Sequence, residues 1–368
     1  MALVNTLDPQ GAARSLQRWL GKVGVANPTV TGVEVPPAAG FSMTTALFHA
    51  DWDAGDQRCA ADLVARIAPT GEGLFEQPDL AREVKILRAL AGQPGVTVPA
   101  VRWFEADPAT FGSPFVVMDR AFGVVPSDDP PYPLQGWVVG LEPSQRANLF
   151  TATLRAVAAI HAVDWETCGL SDLSEPGCEP GIRGEWAKVE RAYAWAHRGN
   201  PSPTIDAAID ILRDRLPENE PIVLNWGDAR LGNVIFDPQT VEIRALLDWE
   251  MATLASPEMD LGWFLFFVRY YTEGIGADPL PGFQGRDELI GLYEQFSGHE
   301  VRNIDFYEAF AALRTSVVLL RIGRLMIDAG VVPPDSPMPL NNIGSQILAR
   351  LLGLAAPAGD VANFVDTR

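Results

Sequence analysis

Cysteine and basic residues are scarce in this chain of 368 residues. The three cysteines, Cys59, Cys168 and Cys178, are odd in number and show neither metal-ligand spacing nor a disulfide framework. A reducing, cytoplasmic setting is therefore the expectation. Lysine and arginine total 28 against 47 acidic residues, a net charge of −19, which argues against a nucleic-acid-binding surface. The start of the chain lacks a basic segment followed by an apolar run, so no signal peptide is expected. Residues 261–268, Leu-Gly-Trp-Phe-Leu-Phe-Phe-Val, are apolar but far shorter than the roughly 20 residues a bilayer requires, and read as a buried helix. Internal repeats, low-complexity tracts and heptad arrays are also missing. What remains is an ordinary globular composition, 47% hydrophobic, long enough for one large or two modest domains.

The most informative stretch is residues 223–237, Val-Leu-Asn-Trp-Gly-Asp-Ala-Arg-Leu-Gly-Asn-Val-Ile-Phe-Asp, followed by Ala-Leu-Leu-Asp-Trp-Glu at 245–250. Its skeleton is Asp228, four residues, Asn233, an apolar run, a turn, a second apolar run, then Asp248. A kinase catalytic loop has this order of groups. The chemistry explains the residue types. A hydroxyl that accepts a phosphoryl group is weakly acidic, so a carboxylate beside it orients it and takes its proton. A nucleotide arrives with Mg²⁺, a hard cation that prefers oxygen ligands. Asn233 offers a neutral amide oxygen and Asp248 a charged one. Residues 234–236 and 243–247 read as two short strands with turn signals between them, a hairpin that brings Asn233 near Asp248. A surface hairpin with incidental polar residues is the plain alternative, but the full string with Gly227 and Gly232 is far more specific than a lone Asp-x-x-x-x-Asn.

These residues resemble the aminoglycoside phosphotransferase family, a branch of the protein-kinase-like fold. That family reads His-Gly-Asp, four residues, Asn, then Asp-Trp/Phe-Glu, and this chain matches at Gly227, Asp228, Asn233, Asp248 and Glu250. The run Asp-Trp-Glu-Met-Ala-Thr-Leu at 248–254 is particularly similar to the kinase-like domains fused to acyl-CoA dehydrogenases. Trp226 departs from the usual His, which in relatives braces the loop.

The resemblance extends upstream. Residues 38–48 place a Gly and small hydroxyl residues between two strands, the setting of a phosphate loop. Gly40, Ser42 and Thr45 match the family's Gly-x-Ser-Asn-x-Thr, with Met43 in place of Asn. Residues 62–68 resemble the kinase Val-Ala-Ile-Lys strand, with Arg66 at the Lys position. Residues 79–90 form a clear amphipathic helix carrying Leu80, Val84, Leu87 and Leu90 on one stripe. Glu83 on it sits where kinases place the acid that pairs with that cation. Residues 96–105 and 113–118 read as two more strands. Residues 113–123 resemble the strand and hinge behind adenine, so Met118 would back the base and the backbones of Asp119 and Ala121 would meet its edge.

Helices are expected at 8–20, capped by Asp8, and at 142–161, 185–197, 202–216, 287–296, 305–327 and 341–354. His161 reads as a packed, hydrogen-bonded residue rather than a base, and Asp260 as a cap that accepts backbone N–H bonds from the catalytic loop. The expected fold is α+β and bilobal, protein-kinase-like. It comprises an N-terminal helical extension (1–29), a small antiparallel-sheet nucleotide-binding N-lobe with one helix (30–120) and a larger, mostly helical catalytic and acceptor-binding C-lobe (124–368). The implied activity is an ATP- and Mg²⁺-dependent transfer of the γ-phosphate to a small-molecule hydroxyl. In that reading Asp228 is catalytic, Asn233 and Asp248 hold metal, and Gly40, Ser42, Thr45, Arg66, Glu83, Met118, Asp119 and Ala121 bind nucleotide. An aminoglycoside-like or a hydroxyacyl-type acceptor is expected near Trp186, Tyr193, Trp263, Tyr307 and Arg314, with no nucleic acid and no membrane. A nucleotide-binding pseudokinase or sensor is the other reading, motivated by Trp226 and Met43.

Overall fold

The computed structural model describes residues 7–36, 42–71, 73–76, 78–174, 178–359 and 361. The chain forms two compact units, Met1–Ala91 with Val98–Ala121, and Gly92–Thr97 with Phe122–Arg368.

The first unit contains helix α1 (Pro9–Lys22), strands β1 (Ala26–Glu34), β2 (Thr44–Ala54) and β3 (Gln57–Ile67), helix α2 (Leu80–Leu90), and strands β4 (Val101–Glu105) and β5 (Phe115–Asp119). The strands make one antiparallel sheet in the order β1-β2-β3-β5-β4. Side chains alternate across it, as the pleat requires. Ala46, Phe48, Leu63, Ala65, Ile67, Phe115 and Val117 face α1, packing with its Leu16, Trp19 and Leu20. Val116 and Met118 point the other way, onto Leu80 and Val84 of α2. Arg66 lies between Ala65 and Ile67 on β3, so alternation puts it on the α2 face with Val64.

Helix α1 is part of this core rather than an appendage. The Trp19 indole donates to Glu105 at 2.8 Å and packs edge-on against Phe115, ring centroids 4.7 Å apart. Asp8 caps it, accepting from the Gln10 and Gly11 amides at 3.2 and 2.7 Å, with Pro9 opening the first turn. Replacing Asp8 with alanine is expected to destabilise the protein by about 1 kcal/mol in urea denaturation. A loss near zero would show that the cap is satisfied equally well by water. The two strands expected at 96–105 and 113–118 start later, at Val101 and Phe115. Pro99 and Pro114 explain the delay, since proline has no N–H to give the ladder.

The second unit is mostly helical: α3 (Pro143–His161), α4 (Ile182–His197), α5 (Pro203–Arg213), α6 (Glu258–Tyr270), α7 (Arg286–Ser297), α8 (Ile304–Asp328) and α9 (Ile343–Leu352). Between α5 and α6 run four short strands, β6 (Val223–Asn225), β7 (Val234–Phe236), β8 (Ile243–Leu246) and β9 (Thr253–Ala255). Strand β6 pairs with β9 and β7 with β8, both antiparallel. The β6–β9 pair was not foreseen. Strands of three residues are too short to show alternation, and both are buried almost throughout. The middle of helix α6, residues 261–268, is apolar around its whole circumference because it runs through the core, beside α8. Gly262 makes the crossing possible, since a Cβ there would lie 2.7 Å from the Tyr307 backbone.

Candidate active site

Strand β6 delivers the chain to Trp226, Gly227 and Asp228. Gly227 has φ +89°, and a Cβ on it would overlap the Met251 carbonyl, so this turn accepts glycine alone. Asp260, fully buried in the first turn of α6, holds the turn from below. Its carboxylate accepts the Trp226 and Gly227 amides at 2.6 and 2.8 Å, and its own amide donates to Asn225 Oδ1 at 3.1 Å. His161 Nε2 lies 3.2 Å from the same carboxylate and its Nδ1 lies 2.7 Å from the Tyr293 hydroxyl. Both residues act as the sequence suggests, as supports of the loop.

Asp228 is 8% exposed, and its carboxylate is densely bonded. Trp263 Nε1 donates to Oδ1 at 2.7 Å and Asn233 Nδ2 to Oδ2 at 2.6 Å. Arg230 Nε reaches both oxygens at 3.1 Å. Arg230 also donates through Nη1 to Asp128 Oδ2 at 2.5 Å, and Asp128 Oδ1 accepts from the Tyr271 hydroxyl at 2.6 Å. Burial opposes the Arg230 charge, but Asp128 and Asp228 outweigh it and hold its pKa above the usual arginine value. Gly232 leaves room for this network, because a Cβ there would meet Arg230 and Asp128.

Asn233 and Asp248 come together through the β7–β8 hairpin. Val234 pairs with Leu246, and the Leu247 amide donates to the Asn233 carbonyl at 2.8 Å, which places Asp248 one residue beyond that bond. Asn233 Nδ2 donates to the Asp228 carbonyl at 3.0 Å as well as to its carboxylate. With the amide hydrogens so committed, the amide oxygen is the atom left for a cation. Asp248 adopts φ +61°, a left-handed conformation that aspartate tolerates better than most residues. Trp226, fully buried, ties the two segments together: its indole donates to the Leu247 carbonyl at 2.8 Å, and its ring lies 5.7 Å from that of Trp249. The indole thus braces the Asp228 loop against the residue before Asp248.

In the first unit, Arg66 Nη1 meets Glu83 Oε1 at 2.5 Å, with side-chain exposures of 16% and 1%. Thr45 on β2 stands opposite Arg66 in register. Ser42 precedes β2 and is half-buried, while Gly40 lies outside the described residues. Met118 is buried beside Val116 on the α2 face. The Asp119 carboxylate accepts from Arg102 Nε at 2.6 Å, and its backbone amide donates to the Ala100 carbonyl at 2.9 Å. Among the described residues the Ala121 amide makes no hydrogen bond.

The expected acceptor residues divide. Trp186 stacks on Phe310, Tyr193 donates to Asp206 at 2.7 Å, and Tyr307 donates to Glu220, so all three serve the helical core. Trp263 and Arg314 instead stand at Asp228, with the Arg314 guanidinium carbon 4.5 Å from the Trp263 ring centroid. Asp128, Arg230 and Tyr271 were missed. Asp128 sits in a Pro- and Asp-rich stretch that reads only as loop, and Arg230 is one of the four residues between Asp228 and Asn233 to which the motif assigns no type.

A five-stranded antiparallel sheet with a buried Arg–Glu pair, and a helical unit presenting Asp, Asn and Asp from a loop and a hairpin, is the protein-kinase-like architecture. Solved structures agree. A protein described as an aminoglycoside phosphotransferase from Ralstonia eutropha aligns with TM-score 0.66 at 23% identity over 92% of this chain and 95% of that one. A macrolide 2′-phosphotransferase from Brachybacterium faecium aligns with TM-score 0.52 at 16% identity over 86% and 93%. Residues 36–299 match the family model described as "Phosphotransferase enzyme family", and the chain belongs to that family. Among curated proteins it is similar to acyl-CoA dehydrogenase family member 10 of Mus musculus, 32% identical over 70% of this chain and 24% of that protein. It is also similar to family member 11 of Homo sapiens, 26% identical over 83% of this chain and 40% of that protein. The chain thus spans well under half the length of these relatives. Among the described residues no helix is long and apolar enough to cross a membrane.

Proposed function

We propose that the protein transfers the γ-phosphoryl group of ATP to a hydroxyl of a small molecule. The observation that carries this reading is the linkage of the three polar groups. Asn233 bonds Asp228 directly, and its backbone is bonded to the residue before Asp248.

The donor set suits Mg²⁺. Asn233 and Asp248 offer oxygens, and Mg²⁺ is ordinarily bound by one or two protein groups together with phosphate oxygens and water. Among the described residues no group of three or more His, Cys, Asp or Glu could hold a metal without such help. Bound there, the ion would neutralise charge on the phosphate oxygens.

The remaining roles fall to the protein. Arg66, oriented by Glu83, binds phosphate oxygens through its planar fork. Met118 backs the base and the Ala121 amide meets its edge. Asp228 orients the acceptor hydroxyl and takes its proton, while the acceptor oxygen bonds to the γ-phosphorus and the bond to the ADP oxygen breaks. The four contacts on the Asp228 carboxylate fill its roughly four acceptor positions. A hydroxyl therefore displaces one donor. Arg230 is the one that can yield, because Asp128 still holds its Nη1. The three cysteines are free thiols, and we place the reaction in the ATP-rich reducing cytoplasm.

The test is Mg²⁺-dependent ADP formation with hydroxylated acceptors, alongside calorimetric titration of Mg²⁺–ATP. Acceptor-dependent ADP release supports the reading, and a wild-type protein that binds no Mg²⁺–ATP would sink it. Glu83→Gln weakens the hold on Arg66, and nucleotide affinity is expected to fall about tenfold, a typical loss for a charge-assisted bond made neutral. An unchanged nucleotide Kd would remove the Arg66–Glu83 pair from the binding site.

A further inference from the structure

One charged group beside Asp228 has no role in the chemistry above. Arg314, midway along α8, is only 8% exposed. Among the described residues its guanidinium makes no hydrogen bond and no ion pair, and its contact is the face of Trp263. Two other largely buried arginines of this unit are well bonded, whereas Arg321, stacked on Trp195, keeps one buried nitrogen unbonded. Arg146 donates to the carbonyls of Val138, Val139 and Pro281, and Arg230 to two carboxylates.

The acids around Arg314 are engaged elsewhere. Glu185 Oε1 accepts from Lys188 and Thr253, Asp260 from the catalytic-loop amides, and Asp228 from Trp263, Arg230 and Asn233. Burial pulls the Arg314 pKa below the usual arginine value, against the attraction of Glu185, Asp260 and Asp228. An arginine nonetheless keeps its proton in a protein. The side chain is largely enclosed, yet among the described residues its nitrogens are neither bonded nor sealed off from solvent, so the guanidinium stands open to a ligand beside Asp228.

We infer that Arg314 is the receptor for an anionic group, carboxylate or phosphate, on the acceptor itself. The substrate is then an anionic hydroxyl compound rather than a polycation such as an aminoglycoside. The placement explains the double duty of Trp263. Its N–H edge fixes the Asp228 oxygen that faces the acceptor hydroxyl, and its ring face positions the guanidinium for the anion. One side chain thereby sets both ends of the acceptor. This inference rests on the phosphotransferase reading above.

The experiment compares matched acceptors: hydroxycarboxylates against their methyl esters, and sugar phosphates against the parent sugars, with aminoglycosides alongside. Wild type, Arg314→Met and Arg314→Lys are assayed for kcat/KM, and wild type is titrated with Mg²⁺–ATP in parallel. Wild type is expected to favour the anionic member of a pair by about 100-fold, the scale of a buried hydrogen-bonded charge pair. Arg314→Met is expected to bring that ratio close to one, and Arg314→Lys to retain part of it. The Met variant is also expected to melt no lower than wild type, because the charge it removes has no partner to lose. Should the Met variant not fold, the wild-type ratio and the Lys variant decide alone. Equal use of both members, preference for neutral or polycationic acceptors, or no turnover of any anion by ATP-bound protein would overturn the inference. So would a loss in Arg314→Met that is equal for both members, which would assign the arginine to the transferred phosphoryl group. None of these touches the phosphotransferase reading, which falls only if wild type binds no Mg²⁺–ATP.

Discussion

Asp228→Asn is expected to lower kcat by about 10³- to 10⁴-fold, the range of a lost general base. The amide still accepts from Trp263 through its oxygen, so the loop keeps one of its anchors. Its NH₂ group then faces the Asn233 and Arg230 donors, where the carboxylate accepted hydrogen bonds. A modest drop in Tm follows from that mismatch. The measurement is acceptor-dependent ADP release by a variant whose far-UV circular dichroism matches the wild type. A folded variant retaining more than about a tenth of the wild-type kcat would show that Asp228 is not the base, since even weak general bases contribute about 10². Loss of kcat with KM little changed would place the contribution in the transition state rather than in binding.

The second large effect falls on stability. Asp260→Ala is expected to destabilise the protein by about 3–5 kcal/mol, the usual consequence of removing one member of a buried charged network. The Trp226 and Gly227 amides would lose their acceptor in a fully buried site, and His161 would lose its partner at Nε2. Urea denaturation reads this directly as a lower midpoint at a similar slope. A change below about 1 kcal/mol would mean that the loop amides find other acceptors, and that Asp260 does not hold the turn. Because the turn carries Asp228, the same variant is expected to lose activity along with its fold, in contrast to Asp228→Asn.

Much of this arrangement was legible in the residues themselves. The order Asp228, Asn233, Asp248 survives in one dimension because a loop and a two-stranded hairpin are local structures. Turn chemistry at Asp237 and Pro238 and two apolar runs suffice to fold them. The amphipathic stripe of α2 was equally clear, and with it the face that carries Glu83. Trp226 was legible only as a departure. That its indole reaches the Leu247 carbonyl, and so braces the segment before Asp248, depends on a contact 21 residues away in sequence. The aromatic residues of the second unit show the limit most plainly. Trp186, Tyr193, Trp263 and Tyr307 all read as aromatic residues on apolar helices, yet among them Trp263 is the one that donates to the Asp228 carboxylate.

The sequence by itself indicated the fold class, the candidate phosphoryl-transfer groups and the pairing of Arg66 with Glu83 that the structure contains. The resemblance to the phosphotransferase family carried these readings, and short-range patterns, the α2 stripe and the hairpin turn placed the residues on their elements. Only the tertiary structure decided that Asp128 and Tyr271 anchor Arg230 over Asp228, and that Arg314 stands on the Trp263 ring with no hydrogen bond or ion pair among the described residues. Those facts depend on which helix faces bring groups from distant positions within hydrogen-bond reach, and hydrogen bonding falls away within a fraction of an ångström.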